Sequence, residues 1–201
     1  ADPALQALAY HELARQAQAR YDAATMCLHA EQACTYAYRA NLPQLIAESE
    51  NDWGIALSLA THPLAGIQHF HTALDWLRQR PNRMLEVRII SNLALFYLAG
   101  HEYQAAYDYL QQRTLQRLFE DWIHWGDLMM VLGAYDEAQA EYVQGFVFAQ
   151  SRHAPYWESW LHASMGRLHR LRGESAAAQT ACRLALQMAQ SSHIAQHLHI
   201  A

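Results

Sequence analysis

Trp125-Gly126, followed by Leu132-Gly133-Ala134-Tyr135-Asp136-Glu137-Ala138, is the stretch that decides the fold. It reads as a small residue inside a helix, a break at glycine, then Tyr-x-x-Ala opening the next helix. The same cadence recurs three times. Met165-Gly166 precedes Leu171, Gly173 and Ala178; Leu93-Ala94 precedes Tyr97, Tyr103 and Ala106; Trp53-Gly54 precedes Gly66, Phe70 and Ala73. The small residues Gly54, Ala94, Gly126 and Gly166 are spaced by 40, 32 and 40 positions. Self-similarity at such a period is the mark of an array of helical hairpins.

Composition supports that reading. Hydrophobic residues make up 52% of the 201 positions and charged ones 16%, enough apolar side chain for a continuous core and too little charge for a disordered chain. Alanine is frequent, which favours helix and close helix approach. Runs of β-branched residues are missing, so strands are not expected.

Charge and chemistry exclude several classes. All 14 basic residues are arginine, so neither Schiff-base lysine chemistry nor a P-loop lysine is possible here. The net charge of −5 gives no general footprint for nucleic acid. Cys27 and Cys34 stand seven positions apart, about 10 Å along a helix and too far to bridge. With Cys182 they form an odd, sparse set that points to reduced thiols and a cytoplasmic setting. Neither a membrane-length apolar run nor a signal peptide is visible. The opening Ala1-Asp2-Pro3 lacks an initiator methionine, as expected of a piece of a longer protein or a cloning remnant.

Turn residues divide the chain into five hairpins. The first pair of helices is expected at 4–18 and 21–39, ending at Asn41-Leu42-Pro43. The second is expected at 44–60 and 63–79, broken at Thr61-His62-Pro63. The third spans 83–99 and 102–118 around Gly100-His101, and the fourth 119–132 and 135–151 around Gly133. The fifth begins near Pro155 and turns at Gly173, and 193–200 either begins another helix or frays. Proline opens a helix because its missing N–H is not needed there. Loops this short force neighbouring helices to run antiparallel. No linker-like stretch appears, so 1–201 is expected to form one domain.

This pattern resembles the tetratricopeptide repeat (TPR) family. The fourth hairpin carries the resemblance best, through Trp122, Trp125, Gly126, Gly133, Tyr135, Ala138 and Tyr142, with Gly145 in place of the second alanine. The fifth matches at Met165, Gly166, Gly173, Ala178 and Ala185, with Cys182 at the aromatic position. The third matches at Leu93, Ala94, Tyr97, Tyr103, Ala106 and Leu110, and the second at Trp53, Gly54, Phe70 and Ala73. The first is degenerate. The resemblance implies an all-α, right-handed superhelical solenoid of about five hairpins. Longer-than-standard units like these occur in TPR-like regions of large bacterial regulators, such as maltose-activator-like transcription factors, and beside signalling output domains.

The resemblance also implies a binding face. In a TPR stack the first helix of each hairpin lines a concave surface, and the residues three before, one after and four after the small residue face inward. That rule selects Asn51, Ile55 and Ser58; Ser91, Leu95 and Leu98; Ile123, Asp127 and Met130; and Ala163, Arg167 and Arg170. Arg88 and Trp160 lie one turn earlier on the same side. The expected function is recognition without catalysis. A protein or peptide partner would lie in the groove of a sensor or interaction segment belonging to a larger cytoplasmic bacterial regulatory protein. Two alternatives remain: a receptor for a small anion held by Arg167 and Arg170 beside Trp160, or a self-assembling scaffold that uses its apolar ends. Neither membrane nor direct nucleic-acid contact is expected of this segment.

Other candidate chemistry has a simpler explanation. His193, His197 and His199 include one i, i+4 pair that a metal could use, but no carboxylate lies nearby and a solvated tail explains them. His69-x-His71 points two ways on a helix. The sequence holds no nucleophile elbow, Cys-x-x-Cys pair or dinucleotide fingerprint, so no catalytic residue, cofactor or metal is expected. The cysteines fit a packed core better than a reactive site. Glu48/Glu50 and Glu120/Asp121 fit helix starts, where the macrodipole favours negative charge. The acidic segment 102–141 and the arginine-rich segment 152–183 could pair with each other, or the arginines could bind an external carboxylate or phosphate or pair with a second copy of the chain.

Overall fold

The computed structural model describes residues 2–20, 22–112 and 117–191. Ten helices are present among them and no strand: α1 Pro3–Ala19, α2 Ala23–Ala40, α3 Pro43–Ala60, α4 Ile67–Gln79, α5 Arg83–Ala99, α6 Tyr103–Gln111, α7 Phe119–Val131, α8 Tyr135–Ser151, α9 Pro155–Leu171 and α10 Ser175–Ser191. None is long and apolar enough to cross a membrane. The all-α expectation holds. Packing divides the chain into two compact units, residues 1–109 and 110–201, with the division inside α6.

Local chemistry explains the boundaries. Five turns share one hydrogen-bond pattern. The residue after the helix end is in the left-handed region at Asn41, His101, Gly133, His153 and Gly173. Its N–H, and that of the next residue, return to carbonyls of the last helical turn, as in Gly133 to Met130 and Ala134 to Met129. This is the Schellman arrangement, which satisfies carbonyls that the helix end would leave unpaired. Glycine suits that backbone, and Asn and His tolerate it better than most residues. At the third hairpin the left-handed residue is His101, so Gly100 serves a different need: a Cβ there would meet the Leu64 side chain at 2.5 Å. Helix starts are capped by Asp2, Asp22 and Asn82 side chains, and Pro43 and Pro155 open α3 and α9.

Two expected helices are shorter than their pattern. Residues 63–66 form a turn, and α4 starts at Ile67, because Gly66 lies against Gly54. A Cβ on Gly66 would fall 1.9 Å from the Gly54 carbonyl oxygen, and the Gly66 N–H donates to Ser58 Oγ at 3.1 Å. The helix expected over 102–118 ends at Gln111, and Arg117 and Leu118 are not helical. The stretch 193–200 lies outside the described residues.

In the first unit α3 is central. It packs on α1, α2, α4 and α5, around a core that includes Met26, Ile55, Phe70, Ile89, Leu93 and Phe96. Fully buried alanines, among them Ala14, Ala17, Ala30, Ala56 and Ala73, keep the helices close. In the second unit α7 packs on α8 and α9, and α9 on α8 and α10. Leu161, Leu168 and Tyr142 are core residues there. The hairpin crossings at Gly54, Gly126 and Gly166 face Phe70, Tyr142 and Cys182 respectively, and Ala94 is fully buried.

Candidate functional site

The expected inner strip divides on burial. Asn51, Ile55, Ser58 and Ser91 are interior, and so is Ile123. The correction has a simple cause in the first unit: α3 has neighbours on four sides, so its supposed open face is packed between α1 and α5. What remains accessible on α5 is Arg88, Leu95 (37% exposed) and the half-buried Leu98.

The buried face of α3 instead carries two polar networks. Asn92 Nδ2 donates to Asn51 Oδ1 at 2.8 Å, and Asn51 Nδ2 donates to Asp52 Oδ1 at 3.2 Å. His11 of α1 places Nδ1 3.1 Å from Asp52 Oδ2, with Glu48 at 3.9 Å from its other nitrogen. Asp52 raises the His11 pKa above its usual value, against the opposing effect of burial. On the other side of α3, Glu50 accepts from Tyr38 Oη at 2.7 Å and lies 2.7 Å from His69 Nδ1. Trp76 Nε1 donates to Tyr38 Oη at 3.3 Å, and the His69 ring lies 4.2 Å from that of Trp53. Burial, with Glu50 beside it, pushes the Tyr38 phenol up to about 12. Glu50 is therefore a buried, doubly partnered carboxylate in mid-helix, contrary to the helix-start reading. Asp121 does sit at a helix start, where its Oδ2 accepts from the Leu118 N–H at 2.6 Å.

The second unit keeps more of the strip accessible. Arg167 and Arg170 are exposed, and Asp127, Met130 and Trp160 are partly buried. Arg167 is nevertheless engaged. Its Nη2 donates to both carboxylate oxygens of Asp127, at 2.8 and 2.9 Å, and lies 2.9 Å from Ser164 Oγ. Tyr142 also donates to Asp127, and the buried phenol is held well above its usual pKa, by burial first and then by that carboxylate. Arg172 donates to Gln139 and Asp136. Arg117 pairs with Glu141 and stacks 4.3 Å from the Trp122 ring. Of the readings of the charge segregation, pairing between the segments accounts for Arg167 and Arg172.

Two open clefts lie outside the strip. One, of about 600 Å³, is lined by Gln111, Arg117, Trp125, Met129, Glu137 and Glu141. The other, of about 450 Å³, lies between α8 and α10 over α9 and includes Phe146, His162, Met165 and Ala181. Neither is lined by Trp160. Sequence reading missed both, because each is made by side chains of successive helices that only packing brings to one place.

Cys27, Cys34 and Cys182 are unbridged, and burial pushes the Cys34 thiol up, away from the reactive thiolate. Among the described residues no group of three or more His, Cys, Asp or Glu is arranged to hold a metal ion. His193, His197 and His199 lie outside the described residues. No protein-family model matches this chain. No curated protein matches its sequence.

Proposed function

We propose that this chain is a non-catalytic interaction segment, a TPR-like stack of hairpins within a larger cytoplasmic regulatory protein, and that it binds a peptide segment of a partner along its first helices. The carrying observation is the contact pattern: first helices meet first helices, α1 with α3, α3 with α5, and α7 with α9. Within the first unit Arg88, Leu95 and Leu98 stay accessible on α5, and within the second Met130, Trp160, Arg167 and Arg170 stay at least partly accessible on α7 and α9.

The pairing of Arg167 refines the reading. An acidic partner would have to compete with Asp127 for Arg167, so Arg170 is the better contact for a carboxylate. Met130 and Trp160 supply apolar surface in the same unit. The small-anion alternative is weakened for the same reason, since one of its two cations is already neutralised.

The test is selection from a random peptide library against the full chain, followed by affinity measurement on variants. Selected peptides should carry an acidic residue beside apolar ones. Arg170→Glu should weaken them by about 2–5 kcal/mol if the contact is desolvated. Arg167→Gln should affect binding less than Arg170→Glu. Peptides that bind wild type, Arg170→Glu and Met130→Glu equally would place the site elsewhere.

A further inference from the structure

The chain contains an internal copy of one of its own substructures, displaced by 112 positions. The left-handed turn residues Asn41 and His153 correspond, as do Pro43 and Pro155 at the helix starts and Gly54 and Gly166 at the crossings. Phe70 and Cys182, which face those glycines, keep the same offset. Helices α2, α3 and α4 are thus the counterparts of α8, α9 and α10.

Among the positions at which the two copies differ are those that line the groove over the middle helix. In the first, the chain's own imidazole fills the groove over α3: His69 stacks 4.2 Å from Trp53 and lies 2.7 Å from Glu50. At the same offset in the second copy, Ala181 replaces His69, Met165 replaces Trp53 and His162 replaces Glu50. The ring has become a methyl group, its stacking partner a thioether and its carboxylate an imidazole. The cleft of about 450 Å³ opens at that place. We infer that this cleft between α8 and α10 receives a small, uncharged planar ring from outside the chain, where the sister copy supplies His69 itself.

The lining fits such a ring. Met165 and Phe146 offer thioether and aromatic surfaces, both of which favour ring contacts. His162, whose ring lies 4.6 Å from that of Phe146, offers one donor or acceptor, and burial holds it in the neutral form. The remaining polar groups are engaged: His169 Nδ1 with Glu174, and Thr180 Oγ1 with the Ala176 carbonyl. No carboxylate stands where Glu50 stands in the sister copy, and Glu174, at the cleft's edge, is engaged by His169. The volume lies within the range of about 300–1,000 Å³ common to small-molecule sites. Arg167 occupies the opposite side of α9 from the cleft.

The test follows the Met165 ε-methyl and Ala181 β-methyl NMR signals of the full chain during titration with indole and with imidazole at about pH 8.5, where the latter is neutral. Cyclohexanol and tetramethylammonium serve as controls for apolar bulk and for charge. Saturable shifts with the rings, at least about tenfold tighter than with either control, support the site. Ala181→His should restore the internal ring, raise the thermal midpoint and weaken ring binding at least about tenfold. Ala181→Phe serves if that variant does not fold. N-acetyl-tryptophan amide separates the sources: binding at least about tenfold weaker than indole assigns a free ring, and equal or tighter binding assigns a ring carried on a partner's chain. Absence of saturable shifts with both rings, equal binding of cyclohexanol, or unchanged binding in the filled variant would overturn the inference.

Discussion

Tyr142 shows how much a single residue can fix in this chain. Its ring fills the space over Gly126, and its hydroxyl donates to Asp127, which also pairs with Arg167 of α9. A Cβ on Gly126 would lie 2.2 Å from that ring, which is fully buried and cannot swing away. Gly126→Ala should therefore cost about 1–3 kcal/mol by overpacking. Gly166→Ala should cost less, because the nearest atom is the Cys182 sulfur at 2.7 Å, on a small and only partly buried side chain. Urea unfolding midpoints of the two variants decide it, and equal losses would show that Tyr142 is not the fixed element. Glu50 gives a second case. His69→Leu leaves a buried carboxylate with Tyr38 as its one remaining partner, and should cost about 1–3 kcal/mol. The double variant Glu50→Leu/His69→Leu should be less damaging than that single change, since no buried charge is stranded. A double variant more damaging than His69→Leu alone would contradict this account.

At the scale of helices, legibility followed local chemistry. Gly133, Gly173, Pro43 and Pro155 announce turns because the backbone at those positions admits few residues, and the hairpins built on them stand where the sequence places them. The start of α4 was not legible, since the contact that ends the turn is between Gly54 and Gly66 on two different elements. The candidate strip failed at Asn51, Ile55 and Ser91 for a related reason. Helical periodicity tells which residues share a face, but not whether that face meets solvent or another helix, and α3 has neighbours all round. Arg167 could be read as a cation but not as a paired one, because its partner lies 40 positions away. That pair joins α7 to α9. Asp127→Asn should loosen the junction and free Arg167, so an acidic peptide selected on wild type should bind this variant at least as well while its thermal midpoint falls. Weaker peptide binding together with the lower midpoint would mean that Asp127 itself touches the partner.

Across the whole molecule the two units carry histidines of opposite character, so acid should act on them in opposite directions. In the first unit Asp52 raises the His11 pKa above its unfolded value of about 6.5. The folded chain then binds that proton more tightly than the unfolded chain. Its contribution is fully present below about pH 6.5 and is lost as pH rises through the folded pKa. In the second unit burial lowers the pKa of His124 and of His162. There the unfolded chain takes the proton first, so stability is present above about pH 6.5 and falls as the solution is acidified below it. Between about pH 8 and pH 5.5, above the usual carboxylate range, the first unit should become more stable and the second less. Hydrogen exchange, corrected for its intrinsic pH dependence, resolves the two through buried amides such as Ile89 and Leu93 on one side and Leu161 and Leu168 on the other. His11→Gln should flatten the first response alone, and His124→Phe should reduce the second alone. Parallel responses in the two units, or a slope in the first unit that survives His11→Gln, would show that these histidines do not govern how the molecule answers to pH.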